Sequence, residues 1–221
     1  MVQRQAVGGR ARVAIVDAGS GNLRSVEKAL ARAADEAGFA ADVFVTDDPD
    51  AVASADRIVL PGVGAFRASM DGLGARDGLA GALHEAVRRK ARPYLGICVG
   101  MQIMARRGLE FGEAAGLDWI PGDVAPIEPA PDRRVPHMGW NTVRFSGAAG
   151  PFAASAPADF YFVHSYYFAT ENASDLVGVC DYGGSLAAAV ARDNLAGVQF
   201  HPEKSQGAGL RLLADFLRWS P

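Results

Sequence analysis

This sequence is short of cysteine, net charge and long apolar runs, and each shortage removes a class of protein. Two cysteines in 221 residues make no disulfide framework and fit a reducing compartment, the cytoplasm. Lys and Arg total 22 against 25 Asp and Glu, a net charge of −3 with no basic cluster. That balance argues against nucleic acid or an anionic membrane as partner. No apolar run approaches the ~20 residues a membrane span needs. Residues 1–10 carry no apolar core of a secretory signal and read as a mobile tail before the first strand. No Cys/His cluster has metal-ligand spacing and no Walker-type loop occurs, so no metal or organic cofactor is expected. What remains suits one α/β domain with a sizeable core over residues 11–221.

The most informative stretch is Pro93-Tyr94-Leu95-Gly96-Ile97-Cys98-Val99-Gly100-Met101-Gln102. An apolar run ends at Gly96, a cysteine follows two residues on, and Gly100 opens a helix-favouring segment. This is the pattern of a nucleophile elbow with cysteine in the serine position. Glycines flank it because the strand-to-helix turn is too tight for side chains. The turn exposes the sulfur, and the following amide and helix N-terminus face any anion formed beside it.

A cysteine nucleophile needs a base, and there are four histidines. His84 reads as part of an exposed helix face. His137 and His164 lie in aromatic-rich segments suited to packing or ligand binding. His201 follows an apolar strand-like run in Gly197-Val198-Gln199-Phe200-His201-Pro202-Glu203-Lys204. In an extended segment residues two apart point the same way. Glu203 is therefore placed to hold one imidazole nitrogen while the other faces the thiol, a triad of Cys98, His201 and Glu203. His-Pro-Glu alone reads as a surface turn; the cysteine elbow in the same chain makes it a candidate site.

Apolar and turn patterns place these segments. Strands are predicted at Val13–Asp17, Val43–Val45 and Ile58–Leu60 and into the elbow. Helices are predicted from Asn22 as N-cap, at Pro49–Ala55, at Leu79–Lys90, from the elbow to about Arg107, and at Gly209–Trp219 with Leu210, Leu213 and Leu217 inward. Alternation of this kind implies a parallel sheet covered on both faces. From about Gly122 to Phe200 the texture changes to aromatic and β-branched runs, suggesting added antiparallel strands. Ligands of open parallel sheets bind at the carboxyl ends of strands. Cys98, Pro61-Gly62-Val63-Gly64 and His201 each follow a strand, so they are expected to converge. The Pro-Gly-Val-Gly segment reads either as a plain turn or as an oxyanion element whose glycines let the backbone approach a substrate. Met101, Met104 and Trp119 read as core, and Cys180 as a small buried hydrophobe.

The elbow and the Gln-Phe-His-Pro-Glu-Lys-Ser block resemble the class I (triad-type) glutamine amidotransferases. Val16-Asp17-Ala18-Gly19-Ser20-Gly21-Asn22-Leu23, Leu60 to Phe66, His137-Met138-Gly139-Trp140-Asn141 and Phe162 to Tyr167 further resemble the glutaminase subunits of imidazole glycerol phosphate synthases. The resemblance runs from about Arg12 to Trp219. It implies a flavodoxin-like fold with an added antiparallel section, and hydrolysis of L-glutamine to glutamate and ammonia. The ammonia would pass to a cyclase subunit, a (β/α)8 barrel, in a heterodimer of histidine biosynthesis. It implies an oxyanion hole from Gly62, Val63, Gly64 and the Val99 amide, with the Val63 peptide unproductive until the partner docks. It implies glutamine binding by Gln102, Glu110, His164, Ser165 and Tyr166, and partner contacts at Asn22, Trp140 and Lys204. On residue type alone Glu110 is equally a solvated helix-end charge, Asn22 a helix cap, Lys204 a solvated cation and Trp140 a core aromatic. Related cysteine hydrolases of the peptidase or chaperone type share the elbow but lack His-Pro-Glu after the last strand. A non-catalytic module on this fold would be expected to have lost part of the triad.

Overall fold

Short apolar strands that alternate with amphipathic helices bury both sheet faces, and the first hundred residues do so. The computed structural model describes residues 9–131, 133–146, 150–152 and 155–221; the tail expectation for residues 1–8 lies outside them. Arg10, counted with that tail, is tied to the chain by an Nε donation to the Ala41 carbonyl at 2.8 Å. The elements run β1 (Ala11–Val16), α1 (Leu23–Ala37), β2 (Ala41–Thr46), α2 (Pro49–Ser54), β3 (Arg57–Gly62) and α3 (Phe66–Gly74). Next come α4 (Leu79–His84, running on as a wider π-type turn to Arg89), β4 (Tyr94–Cys98) and α5 (Val99–Gln102). Then follow β5 (Arg107–Gly108), β6 (Ala114–Ala115), β7 (Gly122–Pro126), β8 (His137–Phe145), β9 (Ala158–His164) and β10 (Tyr166–Thr170). The chain closes with β11 (Leu176–Asp181), β12 (Ser185–Arg192), β13 (Leu195–Val198) and α6 (Gln206–Arg218).

One nine-stranded sheet has the order β2-β1-β3-β4-β13-β12-β11-β8-β9. Its first five strands are parallel and the rest antiparallel. Right-handed crossovers that step one way from β1 to β2 and the other way to β3 put α1 and α2 on opposite faces. A second sheet, β10-β7-β5-β6, takes the chain that leaves α5. The strand centres are fully buried: Val13 to Val16, Ile58 to Leu60 and Tyr94 to Ile97 form the core with Val26, Leu30, Leu213 and Leu217 from the helices.

Five expectations differ from this fold. The helix after the elbow stops at Gln102, not near Arg107, because Arg107–Gly108 pairs with Asp123 and Val124 as a strand. Helix α3 is absent from the sequence reading because Gly72 and Gly74 obscure it. The Gly72 Cα lies so close to α1's approach that an added Cβ would meet the Ala18 carbonyl oxygen at 2.0 Å, so glycine is required there despite its poor helix propensity. The antiparallel stretch ends before Phe200, since β13 runs parallel to β4. In α6 the buried leucines are Leu212, Leu213 and Leu217, while Leu210 is half-buried. Trp140, Met138 and Phe111 project into solvent, so the core-aromatic reading of Trp140 fails. Met101, Met104, Trp119 and Cys180 are buried, and His84 is exposed.

Candidate active site

Strand β4 delivers Cys98 at its last residue with φ 55° and ψ −111°, a left-handed backbone that a non-glycine residue holds only when its surroundings impose it. The surroundings are backbone. A Cβ at Gly96 would meet the Gly100 oxygen at 2.3 Å, and one at Gly100 would meet the Leu60 oxygen at 1.8 Å. Tyr94, fully buried on the same strand, donates its hydroxyl to the Gly100 carbonyl at 3.0 Å and ties the helix start back to β4. Val99 opens α5, so its amide has no partner within the helix, and Val99 lines the cavity that also holds Cys98.

The base arrives from β13. His201 is 2 % exposed, and its Nδ1 bonds to the Glu203 carboxylate at 2.9 Å. Glu203 is not reached along an extended segment as the spacing argument assumed. Pro202–Lys204 form a 3-10 turn, for which the fixed φ of Pro202 is suited, and the turn brings the carboxylate back under the ring. The His201 main chain is clamped by its amide to the Tyr161 carbonyl at 2.9 Å and by the Ser205 hydroxyl to its own carbonyl at 2.6 Å. Because Nδ1–H donates to the carboxylate, Nε2 is the free nitrogen, and it has no hydrogen-bond partner beyond the neighbouring Cys98. Burial pulls the imidazole toward its neutral form, but Cys98 and Glu203 outweigh it and hold the pKa at about 9.

A cavity of about 460 Å³ opens over Cys98. It is walled by Val63, Gly64, Val99, Gln102, Glu110, His164, Ser165, Tyr166, His201 and Lys204, together with Phe111, Pro136 and Val163, for which the sequence offered no signal. Gly62 pairs in register with Cys98, so the Val63-Gly64 loop starts beside the nucleophile, and Gly64 takes φ +90°. Glu203 stands behind His201 rather than in the cavity. Asn22 and Trp140 lie outside it as well. Asn22 occupies the N-cap position of α1 but its side chain makes no cap bond, since φ −86° and ψ 55° depart from the extended cap geometry. Lys204 is exposed, its Nζ 5.8 Å from the centre of the Tyr161 ring, and Tyr161 packs edge-on to Trp140.

Glu110 is neither on a helix nor a solvated charge. It follows β5 and its Oε2 accepts the Phe66 amide at 2.7 Å, capping α3 from a distance in sequence of 44 residues. His164 and His137 pair across β8 and β9. His164 Nδ1 faces the Tyr166 carbonyl at 2.8 Å, so it must donate, and its Nε2 then accepts from His137 Nδ1 at 2.8 Å. Asn141 completes the series with its amide against His137 Nε2 at 3.3 Å. Desolvation drops both imidazoles to about 4, so both are neutral with their tautomers settled. Gln102 spends both amide hydrogens, one on the Tyr166 carbonyl at 3.1 Å and one on Gln199 Oε1 at 3.0 Å, which leaves its own oxygen as an acceptor. Among the described residues no group of three or more His, Cys, Asp or Glu gathers to hold a metal, and no helix is long and apolar enough to cross a membrane.

A thiol on a strained elbow and a carboxylate-backed imidazole at one cavity are the parts that a cysteine-dependent amide hydrolase uses. The chain belongs to the class-I glutamine amidotransferase family, whose model matches residues 14–219. It is 54 % identical over 215 residues to the imidazole glycerol phosphate synthase subunit HisH of Agrobacterium fabrum, covering 95 % of this chain and 100 % of that one. It is 52 % identical to the same subunit of Rhodospirillum rubrum over 213 residues and of Rhizobium meliloti over 215, at the same coverage. The fold also matches the crystal structure of a glutamine amidotransferase at TM-score 0.70, with 16 % identity over 93 % of this chain and 98 % of the other. A Thermotoga maritima glutamine amidotransferase matches at TM-score 0.61, with 16 % identity over 88 % and 77 %.

Proposed function

We propose that this chain, as one amidotransferase domain over residues 11–221, is the glutaminase subunit of an imidazole glycerol phosphate synthase. It hydrolyses L-glutamine and passes the ammonia to a cyclase subunit in histidine biosynthesis. The observation that carries the chemistry is the buried His201–Glu203 pair, bonded at 2.9 Å, with Nε2 unpartnered beside Cys98. The subunit assignment rests on the similarity of the whole chain to HisH relatives. Two free cysteines suit the cytoplasm.

The Cys98 thiolate attacks the side-chain carbonyl of glutamine. Its electrons form the S–C bond, and the oxyanion that results accepts hydrogen bonds from the Val99 amide and the Val63 peptide. Protonated His201 gives its proton to the nitrogen, the C–N bond breaks, and ammonia leaves behind a glutamyl thioester. His201, now neutral, takes a proton from water, and the hydroxide attacks the thioester, releasing glutamate and restoring the Cys98 thiolate beside protonated His201. Glu203 holds the ring and stabilises its charged form. Gln102 and Glu110 offer acceptors to the substrate's ammonium, and Ser165 and Tyr166 line the pocket beside them, braced by His164. Free ammonia would protonate in water, so a shielded route into the cyclase is required.

Cys98→Ser and Cys98→Ala should fold normally and lose glutamine hydrolysis, because a hydroxyl does not ionise accessibly. A glutamine-analogue electrophile should label Cys98 and spare Cys180, whose buried thiol is pushed up to about 12. Peptide mapping that found the label mainly on Cys180 would overturn the assignment.

A further inference from the structure

Gln199 takes no part in the reaction as written, yet it touches the nucleophile. It lies between β13 and His201 and is 0 % exposed. Its Nε2 approaches Cys98 Sγ at 3.6 Å, within reach of a sulfur hydrogen bond, and its Oε1 accepts from Gln102 Nε2 at 3.0 Å. The second contact settles the orientation of the first. Gln102 gives one hydrogen to the Tyr166 carbonyl and the other to Gln199. Turning the Gln199 amide over would set two NH2 groups against each other, so the donor end must face the sulfur. An amide in a sealed interior that presents N–H to a sulfur favours the ionised form of that sulfur and fixes its direction.

We propose that Gln199 is a positioning residue: its amide N–H holds the Cys98 sulfur as a thiolate aimed into the cavity, and its oxygen ties that sulfur to the pocket amide of Gln102. His201 and Gln199 then flank the nucleophile as two donors with different duties. His201 exchanges a proton during turnover. Gln199 keeps its protons and acts through charge and direction. Its link to Gln102 makes one hydrogen-bonded series from the pocket wall to the reacting atom, in which each amide polarises the next.

The proposal rests on Cys98 being the nucleophile, and native-state alkylation with iodoacetamide tests it without glutamine. In the full chain, modification of Cys98 and Cys180 is followed by mass spectrometry across pH. Gln199→Met keeps length and volume but removes the donor. Alkylation of Cys98 near neutral pH should fall about tenfold, its midpoint should move to higher pH, and kcat should fall more than KM rises. Gln199→Glu keeps the shape and sets a carboxylate against the sulfur, so alkylation should be slower still. A folded Gln199→Met chain with the wild-type pH profile overturns the proposal. If that variant does not fold, wild-type alkylation of Gln199→Glu overturns it. Loss of folding in both makes Gln199 a packing residue and overturns it too. Wild-type Cys98 reacting no faster than Cys180 would instead count against the nucleophile assignment, a result of a different kind.

Discussion

At His201, burial and charge pull in opposite directions, and charge wins. Its folded pKa of about 9 lies above the ordinary 6.5, so the folded chain holds that proton more tightly than the unfolded one. The resulting stability is fully present below about pH 6.5 and is lost as pH rises through about 9. Glu203→Gln keeps an acceptor for Nδ1 but removes the charge, so thermal scans should show a smaller loss of stability across that window. Activity should separate the two roles. His201→Ala should remove nearly all turnover, whereas Glu203→Gln should leave a measurable remainder because it disturbs orientation and charge, not the proton transfer itself. Unchanged turnover of Glu203→Gln under saturating glutamine would take Glu203 out of the triad.

At the scale of elements, α3 and its remote cap join Glu110, proposed to bind glutamine, to the end of the Val63-Gly64 loop. Ala65, at the cap position of α3, supplies no side-chain bond, and the Glu110 carboxylate does so instead. The Val63-Gly64 loop ends where that cap begins. Glu110→Ala should therefore cost stability of about 1 kcal/mol, the usual value of a lost cap, and raise KM. Glu110→Gln retains an acceptor oxygen for the Phe66 amide but offers no charge to the substrate's ammonium, so it should keep the wild-type Tm and still raise KM. A wild-type KM in Glu110→Gln would leave Glu110 as a cap alone. The sequence pattern missed this arrangement because β5, which sets Glu110 in place, is two residues long and exists only through pairing with β6 and β7.

On the scale of the whole molecule, two exposed apolar side chains line the cavity and two more project from β8, where Met138 pairs with the cavity residue Val163 and Trp140 with Tyr161. Val63 and Phe111 line the cavity, the latter 90 % exposed, and Met138 and Trp140 project from β8 at 61 % and 51 %. The loop after β1 reaches the same edge, with Gly21 packed near the Pro61 carbonyl. Exposed apolar side chains of this kind suit the docking face proposed for a cyclase, and Trp is prominent among residues that carry binding energy. A cyclase seated there would press on Lys204, which follows the triad glutamate directly, and on the Val63 loop. If docking turns the Val63 peptide into its donor orientation, the gain is roughly 3 kcal/mol, or about a hundredfold in rate. Glutaminase activity should thus be low for the isolated chain and rise by at least that factor with cyclase and nucleotide. Lys204→Ala should reduce the rise more than basal turnover. Full activity in the isolated chain, indifferent to the cyclase, would refute the coupling and leave the triad untouched.

The cysteine elbow, the parallel character of the first half and the convergence on one sheet edge were legible in the chain because each follows from local rules. Glycines mark a turn that excludes side chains, apolar periods separate strands from helices, and parallel strands leave their carboxyl ends together. Tertiary structure decided the rest. The partners of Gln199, of Glu110 and of the His137–His164 pair lie 97, 44 and 27 residues away. No spacing rule reaches that far, although the period-two argument that linked His201 with Glu203 also points one step back to Gln199. A histidine's proton, an amide's orientation and a carboxylate's role depend on which buried group faces them. That is settled only when separate strands are packed side by side.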